Sequence, residues 1–236
     1  MSESLHLLLK ELSELSKKSE YNSARFFKQD AGGYAQHDQF LGLRVPDLRS
    51  LVKKFKDLKD EDILELLRSK YNEYRLLALF FLVDRYEKGD LSVKNKVYNL
   101  YLQNIEHVNN WNLVDASAHL IIGAHVGQNL AAEDIIYQFA DSKKLWLERI
   151  AMVATWHHIR QKRFDIPLQI AEKLLKHQHD LIHKAVGWML REIGKKDKNL
   201  LLLFLHKHVA HMPRTTLRYA IEHFDDVSRK KFLKMK

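Results

Sequence analysis

The stretch LIHKAVGWMLREIGKKD, residues 181–197, decides the fold because its pattern recurs along the chain. It carries a basic residue, Lys184, near its start and then places small and large apolar residues at helical spacing. Three other stretches follow the same pattern: YNEYRLLALFFLVDRYEKGD (71–90), LWLERIAMVATWHHIRQKR (145–163) and MPRTTLRYAIEHF (212–224). We therefore predict that the four stretches are equivalent helices of a repeating unit.

The early basic residues recur at a nearly constant interval. Arg149 and Lys184 are 35 positions apart, Lys184 and Arg218 are 34 apart, and Arg75 precedes Arg149 by 74, or two periods of 37. In the last stretch, Arg214 is an alternative to Arg218. Further helical segments lie between these stretches, so each repeat is a helix pair, and such a period is typical of an α-solenoid. The pattern predicts an all-α superhelix of HEAT-like repeats with a concave basic groove.

The N-terminal part of the chain is predicted to be less regular. We expect helices near 3–17 and 20–29, and Pro46 should begin another because proline is favoured in the first turn of a helix. The stretch QDAGGYAQHDQFLG, residues 29–42, contains adjacent glycines and is predicted to form a loop or a short hairpin. We treat residues 1–236 as one domain of the repeat type.

The composition favours a packed helical protein and excludes thiol chemistry. Of 236 residues, 46% are hydrophobic, and 8 Gly with 3 Pro are too few for the many turns of a β fold. The absence of cysteine excludes disulfides, zinc–thiolate sites, iron–sulfur clusters and thiol nucleophiles. The N-terminal helix lacks signal-peptide features, and no apolar run approaches the ~20 residues that span a bilayer. We therefore expect a cytoplasmic protein without a membrane partner.

The chain is basic, with 39 Lys and Arg against 30 Asp and Glu and a net charge of +9. Such a balance favours a polyanionic partner, although an ordinary lysine-rich surface gives the same count. If the repeated cations face the concave side, they form a series that suits duplex DNA, which carries one charge per ~1.7 Å. The alternative is that each cation bonds a neighbouring repeat.

The middle repeat, VNNWNLVDASAHLIIG at 108–123, has no cation at the repeated position. It offers Trp111 and, one helical turn later on the same face, Asp115. A lone carboxylate among cations is either a salt-bridge partner or a functional group that stabilises positive charge developing on a bound ligand. Arg149, one repeat later, is the expected partner that would keep Asp115 ionised and oriented.

Four segments together resemble the AlkD-type DNA alkylation repair family, the HEAT-like-repeat DNA glycosylases. They are FLGLRVPDLRSL (40–51), VNNWNLVD (108–115), LWLERIA (145–151) and LIHKAVGWMLRE (181–192). The resemblance runs through most of the chain, and the segments occur in the family's order. It implies a glycosylase that releases N3- and N7-alkylated purines from duplex DNA without flipping the base into a pocket.

By this resemblance Asp115 is the catalytic aspartate, Trp111 the aromatic residue beside it, and Arg149 the arginine paired with the aspartate. Trp188 matches a second tryptophan of the groove, and Phe26 falls where glycosylase members usually carry Tyr. From the repeat pattern and the resemblance together we expect eight residues to contact DNA: Phe26, Arg44, Arg75, Lys184, Trp188, Arg191, Arg214 and Arg218.

The chemistry is consistent with a single carboxylate. A purine alkylated at N3 or N7 is already cationic and leaves without a general acid, so one of the two carboxylates of ordinary glycoside hydrolysis is not needed. The remaining one can stabilise an oxocarbenium-like sugar and position water. Indole faces offer cation–π contacts of roughly 0.5–2 kcal/mol each.

The departures from the family pattern keep a second hypothesis open. Many relatives carry Asp or Trp where this chain has Asn112, Phe26 lacks the hydroxyl of Tyr, and the 29–40 insertion is longer. Other branches of the family bind branched or distorted DNA with little or no excision. A non-catalytic DNA-binding protein is therefore the main alternative to the glycosylase. A protein-binding scaffold of HEAT type is a third hypothesis, which a basic concave face disfavours.

No cofactor or metal is expected for either function. His208 and His211 could share a helix face, but no acidic residue completes a ligand set with the usual spacing. The expected partner is double-stranded DNA that contains alkylated or distorted bases. We expect the protein to bind it as a monomer associated with the nucleoid.

Overall fold

The computed structural model describes residues 2–129 and 132–235 and confirms the all-α class. Within these residues the secondary structure is helical, apart from an isolated parallel bridge between Gln39 and Tyr71. The chain divides into two compact units, Met1–Ser117 and Ala118–Lys236. The superhelix and the single domain stay predictions.

The first unit is built around one long buried helix. Its helices are α1 (Glu3–Lys18), α2 (Val45–Lys54), α3 (Asp60–Leu67), α4 (Asn72–Lys88), α5 (Leu91–Gln103) and α6 (Trp111–Ser117), with 3₁₀ turns at Ala24–Phe26 and Ile105–His107. Helix α4 is buried at every position from Leu76 to Val83, so it forms the centre of the unit. The predicted apolar stripe of α1 packs inward, with Leu5, Leu8 and Leu12 fully buried.

The helix predicted at 20–29 is wrong, because only the 3₁₀ turn Ala24–Phe26 forms there. The backbone is extended again at Phe27, and the Ser23 hydroxyl donates 2.7 Å to the carboxylate of Glu73 on α4. This hydrogen bond ties the segment to α4 across 50 positions of sequence. Residues 29–42 form a loop of successive turns rather than a hairpin. The start of α2 is as predicted, with Pro46 in its first turn.

The second unit contains paired helices at the places where the repeat pattern predicts them. They are α7 (Ile122–Gln128), α8 (Asp134–Ala140), α9 (Leu145–Ala154), α10 (Trp156–Arg160), α11 (Asp165–Leu174), α12 (Asp180–Lys196), α13 (Lys198–His208), α14 (Arg214–Ala220) and α15 (Asp226–Lys234). The stretch 145–163 is two helices rather than one. The break falls at Thr155, whose hydroxyl bonds the Met152 carbonyl oxygen at 2.7 Å.

Helix α12 is the central helix of this unit, and a glycine lets α14 lie close to it. A Cβ on Gly187 would come within 2.5 Å of the Tyr219 Cβ and 2.6 Å of the Thr216 carbonyl oxygen. Only a residue without a side chain fits this distance between backbones. Over the described ranges, none of the helices has the length and apolar character needed to cross a membrane.

Candidate functional site

Helix α6 brings the two most informative residues of the sequence to one cleft. Trp111 and Asp115 lie one turn apart, both half-buried, and both line a cleft of about 780 Å³ within the first unit. Most of its remaining lining is aromatic or aliphatic, from the segment before α2 and from α2 and α4. Its volume is in the range of pockets that hold small ligands.

Trp111 ends a stack of three aromatic rings, in which two phenylalanines support it. Phe27 stacks on Trp111 with centroids 5.2 Å apart, and on its other side Phe40 stacks on Phe27 at 4.5 Å. Both phenylalanines come from the irregular segment that precedes α2. Offset stacking of this kind contributes roughly 0.5–1.5 kcal/mol per pair beyond burial, so it fixes the plane of the indole.

The rim of the cleft combines aromatic rings with arginines. Phe26 is 49% exposed, and the Arg25 guanidinium lies 4.7 Å from its ring centroid. Arg44 lies 5.4 Å from the Tyr21 ring, and Arg49 lies 4.3 Å from the Phe80 ring. Phe26 and Arg44 were predicted to contact DNA, whereas Arg25 and Arg49 were missed because no repeat position marks them.

A buried polar network centred on Asp38 holds the start of α6. The Asp38 carboxylate accepts hydrogen bonds from the side-chain amides of Asn110 at 2.7 Å and Asn72 at 3.0 Å, and it pairs with Arg75 at 2.6 Å. The side-chain amide of Asn112 donates a hydrogen bond to the side-chain oxygen Oδ1 of Asn72 at 2.7 Å. The asparagines beside Trp111 therefore position the helix, and Asp38 is a functional candidate that the sequence did not reveal.

Glu73 fixes the segment that supplies the aromatic residues. Its buried carboxylate accepts hydrogen bonds from the backbone N–H groups of Leu41 and Gly42 at 3.0–3.1 Å, in addition to the Ser23 hydroxyl. Gly42 has a φ of +72°, and a Cβ there would lie 2.4 Å from the Tyr21 carbonyl oxygen. This turn requires glycine.

The placement of Arg75 does not support its predicted DNA contact. The residue is 4% exposed, and its guanidinium is held by Asp38 and by the Ser69 carbonyl oxygen, to which it donates at 2.9 Å. A buried and paired guanidinium would have to give up both partners to reach a phosphate. Arg75 therefore fits the explanation in which the repeated cation bonds a neighbouring part of the protein, and not the one in which it contacts DNA.

The second unit places its predicted residues in different surroundings. Arg149 is buried and donates to the Leu181 carbonyl oxygen. Its predicted pairing with Asp115 joins residues of different units and stays a prediction. Trp188 is half-buried and lies edge-on to Trp156, with centroids 5.0 Å apart.

The remaining cations differ in their availability. Lys184 pairs with Asp180 at 2.8 Å, and this hydrogen bond lowers the pKa of that carboxyl. Arg191 pairs with Glu222 and lowers its pKa in the same way. Arg214 donates 2.8 Å to the Leu233 carbonyl oxygen, and Arg218 is exposed.

Two adjacent histidines of the second unit are held neutral. Burial lowers the pKa of His158 to about 4, with a smaller contribution from Arg163, and the pKa of His157 is also lowered to about 4 by burial and nearby cations. Across the described residues, no three His, Cys, Asp or Glu side chains form a group that could hold a metal ion.

Comparisons with known proteins agree with this architecture. A family model described as DNA alkylation repair enzyme matches residues 8–224. A solved structure of a predicted DNA alkylation repair enzyme from Enterococcus faecalis is similar in fold, with a TM-score of 0.66 and 16% identity, over 89% of this chain and 99% of that chain. None of the curated proteins matches the chain.

Proposed function

The chain belongs to the DNA alkylation repair enzyme family, which supports a role in DNA repair, and from this premise we propose that it is a DNA glycosylase. It hydrolyses the N-glycosidic bond of cationic N3- or N7-alkylated purines in duplex DNA. The observation that carries the proposal is that Trp111 and Asp115 line one aromatic cleft rimmed by arginines.

Asp115 supplies the only carboxylate that the reaction needs. The bond between C1′ and the purine nitrogen breaks, and its electron pair neutralises the cationic base. The carboxylate stabilises the positive charge that develops on the sugar and orients water, whose oxygen bonds C1′. The proton of that water passes to Asp115 or to solvent, so no cofactor is required.

The aromatic side chains favour a cationic lesion over a normal base. The indole of Trp111 offers a π-face, and its stacking on Phe27 keeps that face in a fixed orientation. Phe26 contributes a second ring, which is exposed. We propose cleavage without transfer of the base into a closed pocket, as the family resemblance implies.

The second unit contributes DNA contacts of its own in this proposal. Arg218 is exposed, and Lys184 and Trp188 are half-buried, so all three are accessible to phosphates or deoxyribose. A monomer in the cytoplasm that associates with the nucleoid would meet its substrate directly.

The discriminating experiment measures release of 7-methylguanine from a duplex that carries a single such lesion. Excision by the purified protein supports the glycosylase. If the protein instead releases no base but binds branched or distorted DNA tightly, the non-catalytic alternative is correct. The same preparation is used for both measurements, so inactivity through misfolding is detected as a loss of binding.

A further inference from the structure

We propose that Arg25, Arg44 and Arg49 form a phosphate clamp, in which three aromatic-stacked guanidinium groups bind the DNA backbone at the rim of the cleft. The identity of the polyanion rests on the proposed function. The clamp itself rests on the surroundings of these three side chains in the first unit.

All three arginines are exposed and line the cleft, and their guanidinium groups have no hydrogen-bond or ion-pair partner among the described residues. Other arginines of the unit are engaged. Arg75 pairs with Asp38, and Arg85 pairs with Asp60. An arginine without a protein partner keeps all its N–H donors available for a planar anionic group.

Aromatic rings hold these guanidinium groups in place without using their donors. Arg25 lies 4.7 Å from the Phe26 centroid and 5.9 Å from that of Tyr21, and Arg44 approaches Tyr21 to 5.4 Å. A cation above a ring interacts through its face, whereas its N–H groups lie in its own plane. The stacking therefore pre-orders the side chains and reduces the entropy that binding would otherwise cost.

The cleft carries its arginines at the rim and its carboxylates in the interior, so we expect an anion to bind at the rim. The carboxylates of Glu73 and Asp115 also line the cleft; Glu73 accepts hydrogen bonds from Ser23, Leu41 and Gly42, and among the described residues none of the three rim arginines pairs with either acid. The three arginines of the rim can each bind a phosphate, and the apolar side chains between them can contact a less polar group that links the phosphates. A nucleic-acid backbone that carries its bases and sugars has this chemistry.

The test is the salt dependence of binding to an undamaged duplex, measured by fluorescence anisotropy. Each lost phosphate contact lowers the slope of log K against log salt by about 0.9. We expect this decrease for Arg25→Gln, for Arg44→Gln and for Arg49→Gln, and recovery of the slope for Arg25→Lys, which restores the charge. The matched control is Arg68→Gln, because Arg68 is an exposed residue whose guanidinium is already bonded to the Asn104 side-chain oxygen at 2.9 Å. Its slope should equal that of the wild type.

The outcomes separate the clamp from the proposed function. Wild-type slopes in all three rim variants would overturn the clamp, even if the protein binds and repairs DNA. Equal decreases in the rim variants and in Arg68→Gln would also overturn it, because general surface charge would then explain binding. If the rim variants lower the slope but the wild type releases no base, the clamp is supported and the glycosylase is rejected. Thermal unfolding of the three rim variants should match the wild type because their side chains are exposed.

Discussion

The carboxylate of Asp38 accepts a hydrogen bond from the side-chain amide of Asn110 at 2.7 Å, across 72 positions of sequence. Asn110 is fully buried and immediately precedes α6, and its side-chain oxygen Oδ1 accepts a hydrogen bond from the backbone N–H of Trp111 at 2.7 Å. The loop between α1 and α2 thus sets the start of the helix that carries Trp111 and Asp115.

Asp38→Asn should reduce both stability and catalysis. The substitution leaves the buried guanidinium of Arg75 without its counter-ion, which should lower the free energy of unfolding by roughly 3 kcal/mol. As a positioning residue, Asp38 should affect kcat more than KM. The control is Asp30→Asn, an exposed residue of the same loop, for which both quantities should stay near wild type. Wild-type stability and kcat in Asp38→Asn would refute the positioning role.

Phe27→Leu should slow excision at saturating DNA, by roughly tenfold or about 1.4 kcal/mol in the barrier. The ring of Phe27 lies between Trp111 and Phe40, so its loss frees the indole plane. Leu7→Ala, at an exposed apolar residue of α1, controls for general effects of apolar truncation. Single-turnover rates are the measurement. Equal rates in Phe27→Leu and wild type would show that the stack does not orient Trp111.

Acidification should destabilise the fold through His158. Its pKa is lowered to about 4 from an ordinary value of 6.5, so the unfolded state binds a proton that the folded state does not. This contribution to stability is complete above pH 6.5 and is lost as the pH falls toward 4, by about 1–2 kcal/mol between pH 7 and pH 5. Urea unfolding at the two pH values measures it. His158→Gln should reduce the pH dependence, and His6→Gln, at an exposed site, should leave it unchanged. An unaltered pH dependence in His158→Gln would contradict this assignment.

Gly187→Ala should destabilise the second unit by about 1–3 kcal/mol, because the added methyl meets the backbone of α14. The matched variant is Gly194→Ala on the same helix. There the added Cβ meets the end of the Leu201 side chain, which can rotate, so the loss should be smaller. Chemical denaturation of the two variants gives the comparison, and an equal loss would show that the close approach of the helices is not the cause.

The helices were predictable from the sequence because apolar periodicity reports directly on which face is buried. The repeated stretches correspond to α4, α12 and α14, and Pro46 marks the start of α2. The break at Thr155 was not predictable, because apolar residues continue through it and only the backbone reveals the turn.

The candidate site was predictable in part. The spacing of Trp111 and Asp115 identified one face of α6, and both residues line the cleft. Asp38, Phe27 and Phe40 come from the irregular segment before α2, and their contacts with Asn110 and Trp111 are distant in sequence. The rim arginines Arg25, Arg44 and Arg49 lie in a 3₁₀ turn, at the start of α2 and within α2, and occupy no repeated position. No periodicity relates such residues, and the helix expected at 20–29 obscured them. The role of Arg75 was likewise hidden, since a repeated cation looks the same whether it faces solvent or a buried aspartate.

The most direct test of the central claim is single-turnover release of 7-methylguanine from a duplex by the wild type and by Asp115→Asn. We expect the wild type to release the base and Asp115→Asn to bind the duplex with unchanged affinity. The rate of release should be at least about 100-fold lower in Asp115→Asn, which is the loss seen when a group that stabilises a developing charge is removed. The control Asp134→Asn, an exposed acid of the second unit, should keep the wild-type rate. Equal rates for Asp115→Asn and wild type, or no release by the wild type while it binds the duplex, would contradict the account.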